Sequence, residues 1–467
     1  MTDAATLVAH QAYRYALDPT EEQAGLLAGH VGAARFAFNW ALARVTATMG
    51  QRAAERSYGL GEDELTPRLG WTLPALRREW NQAKHEVAPW WAEYSKEAFN
   101  SGLDALARAL TAWSQSRNGA RKGRAVGFPR FRRKGRTQAG VRFTTAAIRV
   151  EPDRHHVVLP RLGRVRTHES TSKLARRVDT GTARILSATV TYWGGRWHVS
   201  LTCEVTRQVG RPAHVGAGAP VVGVDVGVRH LAVVATSTGQ LVEAADNPRA
   251  FEAARARLRR LGRQAARQQE GSHRYKRTVA RVNRVHARAA NVRADALAKL
   301  TTRLAQRHQV VVVETLHAAG MRRAGGARKR GLNRALADAA LAQTRRQLTY
   351  KTRWYGTTLV EADRWFPSSK TCLRCGTVKA KLSLAERTFT CDPCGHQVDR
   401  DLQAATNLAR LGDPHWGTGP AGSSPVAGRG ADRKTRPGPH SGAAAGVEAS
   451  TPPAPSAGTA APQEAAA

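Results

Sequence analysis

The chain is poor in acid. Against 73 Lys and Arg it carries 36 Asp and Glu, a formal net charge of +37 over 467 residues. That surplus points to a polyanionic partner, either nucleic acid or an anionic membrane surface. Long apolar runs are also missing. None nears the ~18 residues that a membrane span needs, and the opening MTDAATLVAHQ has no features of a secretory signal. Membrane and secreted proteins are set aside on those grounds, so the expected location is cytoplasmic and nucleoid-associated, with nucleic acid as leading partner. From Gly417 to Ala467 there is no aromatic residue and almost no large aliphatic one, only repeated Pro, Gly, Ala and Ser. Such a segment cannot offset the entropy of ordering and is expected to be a disordered tail. It holds four basic and three acidic residues, so +36 of the charge lies in residues 1–416. Elsewhere the 42% hydrophobic content is enough for real cores. The length alone suggests about three domains.

Residues 11–17 read as a short strand, and Asp18-Pro19-Thr20 opens a helix with Thr20 and Gln23 at capping-box spacing. Leu26, Leu27, Val31, Ala34, Phe38 and Ala41 follow at helical intervals. A second helical region carries Trp71, Trp80, Trp90, Trp91, Tyr94, Phe99 and Trp113, read as buried core aromatics in preference to base-stacking groups. From Phe143 to Val205 the pattern is one of strands, with Gly194-Gly195 as a two-residue hairpin turn. The small-residue stretch 216–220 marks a linker to a different kind of domain.

Two stretches concentrate the charge. Residues 117–136 hold nine basic residues and no acid, with Phe128 and Phe131 interleaved. That composition predicts contacts to phosphates and bases from Arg121, Lys122, Arg124, Phe128, Arg130, Phe131, Arg132, Arg133 and Lys134. Residues 255–307 hold 16 basic residues against Glu270 and Asp295. Gly271-Ser272 divides them into two helices, the second with an apolar stripe of Val282, Val285, Ala289, Val292, Ala296, Leu300 and Leu304. The arginines of the hairpin, Arg259, Arg260 and Arg263 among them, are expected to track a nucleic-acid backbone.

Cysteine is scarce, and four of the five fall as Cys372-x2-Cys375-x15-Cys391-x2-Cys394. This is the two-knuckle spacing of a four-cysteine zinc ribbon, with Gly376 and Gly395 placed where each knuckle turns. A closed site of four thiolates leaves no open position, so its Zn2+ is structural. Cys203, alone on a strand, reads as an inert core residue.

Three acids stand out. Asp225 interrupts the apolar strand Val221–Gly227, and two further strands (Leu231–Ala235, Leu241–Ala244) follow it. Glu314 ends Val310–Val313. A last strand, Thr358 to Trp365, precedes the ribbon, and Asp399-Arg400-Asp401 opens a closing helix with Leu402, Ala405 and Leu408 on one face. Unpaired carboxylates on apolar strands are costly, and converging carboxylates offset that cost by binding divalent cations. Two Mg2+ ions about 3.5–4 Å apart can activate water and stabilise the leaving oxygen of a phosphodiester. Strand acid, strand acid, helix acid in this order is the arrangement of an RNase H-like nuclease, with Asp225, Glu314 and Asp401 as catalytic magnesium ligands. The Asp-x-Gly of actin-like kinases is the competing reading; it needs a second Gly-rich phosphate loop, which the sequence lacks.

These motifs closely resemble those of the TnpB (OrfB-type) transposon-encoded proteins, relatives of the type V CRISPR effector nucleases. The matches span most of residues 11–412. They include the first strand with its Pro-Thr-x-x-Gln helix start, Phe38-Asn39-Trp40, Gly127–Phe131, and the strands ending at Asp225 and Glu314. Gly320-Met321, Trp365 to Cys372, Asp399-Arg400-Asp401 and Ala404-Ala405-x-Asn407 complete the set. Gln403 and Thr315 depart from the family's usual Asn and Asp. The resemblance implies an RNA-guided DNA endonuclease acting beside a short target-adjacent motif, with a guide RNA from the transposon end and double-stranded target DNA as partners. A monomer is expected. The implied fold is multidomain α/β: a wedge β-barrel (1–19, 141–215) interrupted by a helical recognition domain (20–140), and a RuvC-like nuclease (216–365, with the basic hairpin at 252–309). The zinc ribbon (366–398) is inserted before the closing helix (399–416), and the tail occupies 417–467. A non-catalytic accessory factor or guided repressor is the alternative, against which stands the presence of all three acids.

Overall fold

In a computed structural model of the chain, the described residues are 5–135, 139–145, 147–209, 220–323, 326–383 and 385–416. The expected tail at 417–467 and the linker at 216–219 lie outside them. The described chain divides into two units, one of residues 5–25 and 139–416, the other of residues 26–135.

Strand β1 (Ala5–Asp18) is twice as long as expected, because its N-terminal half pairs in register with a distant strand (Ala5 opposite Val209) that local sequence does not reveal. Helix α1 (Glu21–Ser57) starts on the expected capping box: Gln23 N–H donates to Thr20 Oγ1 at 3.2 Å and Thr20 N–H to Gln23 Oε1 at 3.1 Å. In the helical unit, α2 (Leu73–Val87) and α3 (Lys96–Arg117) join α1. Gly102 lets α3 approach closely, since a Cβ there would lie 2.1 Å from the Ala34 carbonyl oxygen. Trp80 stacks on Phe99 at 4.8 Å, and both are buried. Of the expected aromatic core only these two are fully enclosed. Trp71, Trp90, Trp91, Tyr94 and Trp113 are half-buried, because three helices cannot cover so many large rings.

The first sheet of the other unit is antiparallel and seven-stranded. It contains β1, β2 (Gly140–Phe143), β3 (Arg149–Val150), β4 (His156–Leu159) and β5 (Gly163–Thr167). After helix α4 (Ser172–Asp179), β6 (Ala183–Trp193) and β7 (Arg196–Val209) complete it in the order β2-β6-β7-β1-β5-β4-β3. Helix α4 corrects the all-strand reading of 143–205: Thr171, Leu174 and Ala175 are buried at i, i+3 and i+4, a helical and not an alternating spacing. Gly194 and Gly195 form the hairpin turn with φ of +63° and +84°.

The second sheet contains β8 (Val221–Asp225), β9 (His230–Ala235) and β10 (Leu241–Asp246). Helices α5 (Ala250–Ala266) and α6 (His273–Arg307) intervene before β11 (Val310–Glu314). Helices α7 (Ala318–Met321), α8 (Gly326–Ala339) and α9 (Leu341–Tyr355) then lead to β12 (Thr358–Ala362). The order is β10-β9-β8-β11-β12; β8 through β10 are antiparallel neighbours, and β11 runs parallel to both β8 and β12. Strand β12 stops at Ala362, where pairing with β11 ends, short of the expected Trp365. Val222, Val224, Val311 and Val313 bury one face against Leu297, Leu300 and Leu304 of α6 and Leu348 of α9. Val221 and Val312 bury the other against Leu408 of α10 (Arg400–Gly412). The α6 stripe holds at Ala289, Leu300 and Leu304 but not at Val292, which is 42% exposed. Between β12 and α10 lie β13 (Thr388–Thr390) and β14 (Gln397–Asp399), an antiparallel pair.

Candidate metal and nuclease centres

Alternation along a strand decides where the acids point. Residues 221, 223 and 225 share one face of β8, and 310, 312 and 314 share one face of β11. The parallel register sets Val310 beside Val221 and Val312 beside Gly223, so Glu314 falls next to Asp225 on the face that carries α10. Helix α10 lies directly on β8: a Cβ on Gly223 would meet Ala405 O at 1.9 Å and Ala409 N at 2.4 Å. Asp401 is one helical turn before Ala405, as Asp225 is two residues beyond Gly223. Helix and strand thus bring the third carboxylate to the other two.

Electrostatics register the convergence. Burial, then the charges of Glu314 and Asp401, hold the Asp225 carboxyl well above the usual carboxylate range, with Arg400 acting in the opposite sense. Burial also raises Glu314, while a hydrogen bond from the Ser368 hydroxyl and the charge of Arg400 oppose the rise. A carboxyl raised on folding favours the folded state when protonated, and that contribution is lost as pH climbs from the ordinary carboxylate range through the raised value. In metal-free protein Asp225→Asn is therefore expected to melt above the parent at pH 7–8, with the difference shrinking toward about pH 4. Melting curves at the two pH values check this.

Asp399 and Asp401 have different surroundings. Asp399 caps α10, its Oδ1 accepting from Asp401 N–H at 2.9 Å and Leu402 N–H at 3.1 Å. Asp401 is in the first turn, free of that duty. Asn407 anchors the helix to the chain leading into the cysteines, donating to the carbonyls of Ser368 and Thr371 at 2.8 Å each. The two departures from the family pattern are accommodated: Gln403 donates to Ser369 O and Thr315 to Ala362 O. Ser368, Arg400 and Asn407 are the supporting residues that reading acids alone overlooks, although each lies inside a quoted motif.

The four cysteines come together. Their sulfurs all lie within 4.8 Å of one another, and among the described residues they are the one such group of three or more potential ligands. Asp225 feels the charges of Glu314 and Asp401, but the three carboxylates are not drawn to that spacing. Each knuckle closes in the same way: Gly376 N–H donates to Cys372 O and Gly395 N–H to Cys391 O, with glycine φ of +73° and +66°. Hydrogen bonds with Thr377 hold the Cys375 thiol down to about 6, toward the thiolate that binds metal. Phe389, fully buried among Cys372, Cys391, Leu382 and Val398, is the module's small core. Cys203 is buried on β7, and burial pushes its thiol up to about 12, as befits an inert core residue.

The basic residues separate into two groups. Arg259, Arg260 and Arg263 are exposed on α5. Arg121, Lys122, Arg124, Arg130, Arg133 and Lys134 are exposed in the segment after α3, and Phe131 is 55% exposed. Phe128 and Arg132 turn inward instead. Phe128 packs edge-on against Trp113 at 5.0 Å, and the Arg132 guanidinium lies 3.8 Å from the Phe38 ring centre. Asn39 grips both backbone groups of Arg132. These two residues fasten the segment to the helices, and the flanking cations are left outside. Arg136 lies outside the described residues.

A mixed α/β protein with a sheet-end carboxylate cluster, a four-cysteine module and a strongly basic surface is of the kind that acts on nucleic acid. A family model described as "Probable transposase" (OrfB_IS605) matches residues 200–325, and a "Cas12f1-like, TNB domain" model matches 342–408. A third, described as "Helix-turn-helix domain", matches residues 9–53, which here form a strand and one continuous helix. A Mycobacterium tuberculosis protein named "Putative RNA-guided DNA endonuclease Rv2885c" is 44% identical over 443 residues, 93% of each chain. A Streptomyces pristinaespiralis protein named "Putative RNA-guided DNA endonuclease" is 34% identical, covering 86% of this chain and 89% of its own. InsQ of Escherichia coli, with the same description, is 28% identical across 86% and 92%. The chain belongs to the TnpB family of OrfB/IS605 transposon-encoded proteins. No helix among the described residues is long and apolar enough to cross a membrane.

Proposed function

We propose that the protein is an RNA-guided, divalent-metal-dependent DNA endonuclease that cuts beside a short adjacent motif. The observation that carries this reading is the placement of Asp225, Glu314 and Asp401 on one face at one end of the second sheet. The hard carboxylate oxygens, with the proton affinity of Asp225 and Glu314 raised and one cation, Arg400, nearby, fit divalent magnesium. When bound there, a pair of such ions supplies a nucleophilic water and charge stabilisation for phosphodiester hydrolysis. The chain's own residues prepare the site: Ser368 orients Glu314, Asp399 fixes the start of α10, and Gly223 sets the depth at which α10 sits. We read the second sheet with α10 as the RuvC-like nuclease, the seven-stranded sheet as the wedge barrel, and α1 to α3 as the recognition domain. The exposed cations after α3 and on α5 are assigned to guide RNA and target DNA backbones.

The four thiols fit structural zinc, whose tetrahedral thiolate site they would fill completely. Cys391→Ser is expected to release one zinc per chain and unfold residues 366–398 while the strands keep their own core. Zinc stoichiometry by metal analysis decides this, and an unchanged content refutes the four-thiol site. For the function, the full chain is purified and its RNA sequenced, and cutting is measured on plasmid DNA matched to that RNA, with and without Mg2+. A discrete RNA and Mg2+-dependent, sequence-matched cutting are expected. Heterogeneous RNA with cutting insensitive to RNase would overturn the guided reading.

A further inference from the structure

Glu314 is held on one side by Ser368, whose hydroxyl donates to its Oε1. Beside Glu314 lies a small cavity of ≈ 10 Å³ between the end of β11 and the start of α9. Val226, Val313 and Leu348 are among its apolar walls, and Glu314, Thr344 and Arg345 are its polar lining. Arg345 has a partner elsewhere, since its Nη1 lies 3.7 Å from Glu361 Oε2 in a half-exposed pair. Thr344 does not. It is 1% exposed, and its hydroxyl is buried with no hydrogen-bond partner among the described residues.

A helical threonine ordinarily returns its hydroxyl to the carbonyl four residues back. On the same helix Thr349 does so to Arg345 O at 3.0 Å and Thr352 to Leu348 O at 2.8 Å. Thr344 forgoes that bond in an apolar pocket, where an unbonded hydroxyl is costly. Its place on the helix adds a second polar demand. Helix α9 starts at Leu341 behind Ala340, which offers no side-chain cap. The first-turn amides have no carbonyl to bond within the helix, and Ala342 of that turn also lines the cavity.

A cavity of this size has room for about one water, and a buried water typically makes about three hydrogen bonds. Three kinds of partner meet here: a carboxylate that accepts, a first-turn amide that donates, and a hydroxyl that does either. We propose that a water held by the Thr344 hydroxyl and the first turn of α9 bonds the Glu314 carboxylate, which makes Thr344 a positioning residue for Glu314. The carboxylate is then fixed from both sides, by Ser368 from the chain entering the cysteines and by α9 through the water. Partners of this kind orient a metal ligand and are worth about 10–100-fold in metal affinity. The proposal rests on the reading that Glu314 holds the divalent ion.

Thr344→Val removes the hydroxyl and keeps the shape, whereas Thr344→Ser keeps the hydroxyl. Both are made in the full chain, freed of nucleic acid at high salt and of metal by chelation. Metal-free Thr344→Val should melt about 2–4 °C below the parent, the shift for one lost hydrogen bond. Melting at or above the parent means that the hydroxyl had no partner to lose, and it overturns the proposal. Mn2+ is then titrated in by electron paramagnetic resonance. Thr344→Val should bind it about tenfold more weakly, and Thr344→Ser should bind it as the parent does. Parent-like affinity in Thr344→Val, or a loss that Thr344→Ser shares, also overturns it. Glu314→Gln separates the two readings. If it binds Mn2+ as the parent does, the divalent-metal reading of Glu314 fails, and metal-free melting of Thr344→Val alone decides the water-mediated contact.

Discussion

Asp401→Ala is expected to leave the protein bound to its target and unable to cut it. Asp401 enters the cluster from the first turn of α10, and its charge reaches Asp225. Removing one of the three proposed oxygen ligands would take away transition-state stabilisation worth several kcal/mol, so cutting should fall by about 10³-fold or more. Asp225→Ala and Glu314→Ala are expected to behave alike. Binding should persist, because the affinity is assigned to phosphate contacts of the surface cations. Asp399→Ala is the informative control. That carboxylate accepts two backbone N–H groups at the helix start, so its loss lowers stability by roughly 0.5–2 kcal/mol and spares chemistry. Cutting and gel-shift binding of the four variants on one target, together with urea unfolding of Asp399→Ala, test the assignment. Cutting by Asp401→Ala and none by a stably folded Asp399→Ala reverses the two roles.

Gly223→Ala is expected to disable the nuclease without altering any carboxylate. The added methyl would sit 1.9 Å from Ala405 O, 2.4 Å from Ala409 N and 2.8 Å from Leu408 Cβ. Two of those atoms are helix backbone, so no rotamer change relieves the overlap; α10 must lift from the sheet. The cost is about 3 kcal/mol, the upper end for overpacking, and lifting α10 draws Asp401 away from Asp225. Urea unfolding measures the first effect. Cutting activity of the fraction that stays folded measures the second. Parent-like stability with full cutting would show that α10 does not rest on β8 at this depth.

The local chemistry of the chain determined much of this. Cysteine spacing and the glycines after each knuckle specify a four-thiol module because both are short-range requirements, and Thr20 with Gln23 fixes a helix start within four residues. Apolar strands ending in Asp225 and Glu314 are legible because an acid at the end of a valine run is costly without a purpose. Tertiary structure decided what depends on distant partners. The full length of β1 follows from its pairing with β7, more than 180 residues away. The outward turn of Val292, and the inward turn of Phe128 and Arg132, follow from what happens to pack beside them. Asp401 rather than Asp399 is already legible from helix pitch and the resemblance; the structure adds the cap contacts of Asp399. Periodicity and spacing report on a residue's near neighbours along the chain. Convergence of groups hundreds of residues apart is set by sheet register and helix packing, which only the folded chain contains.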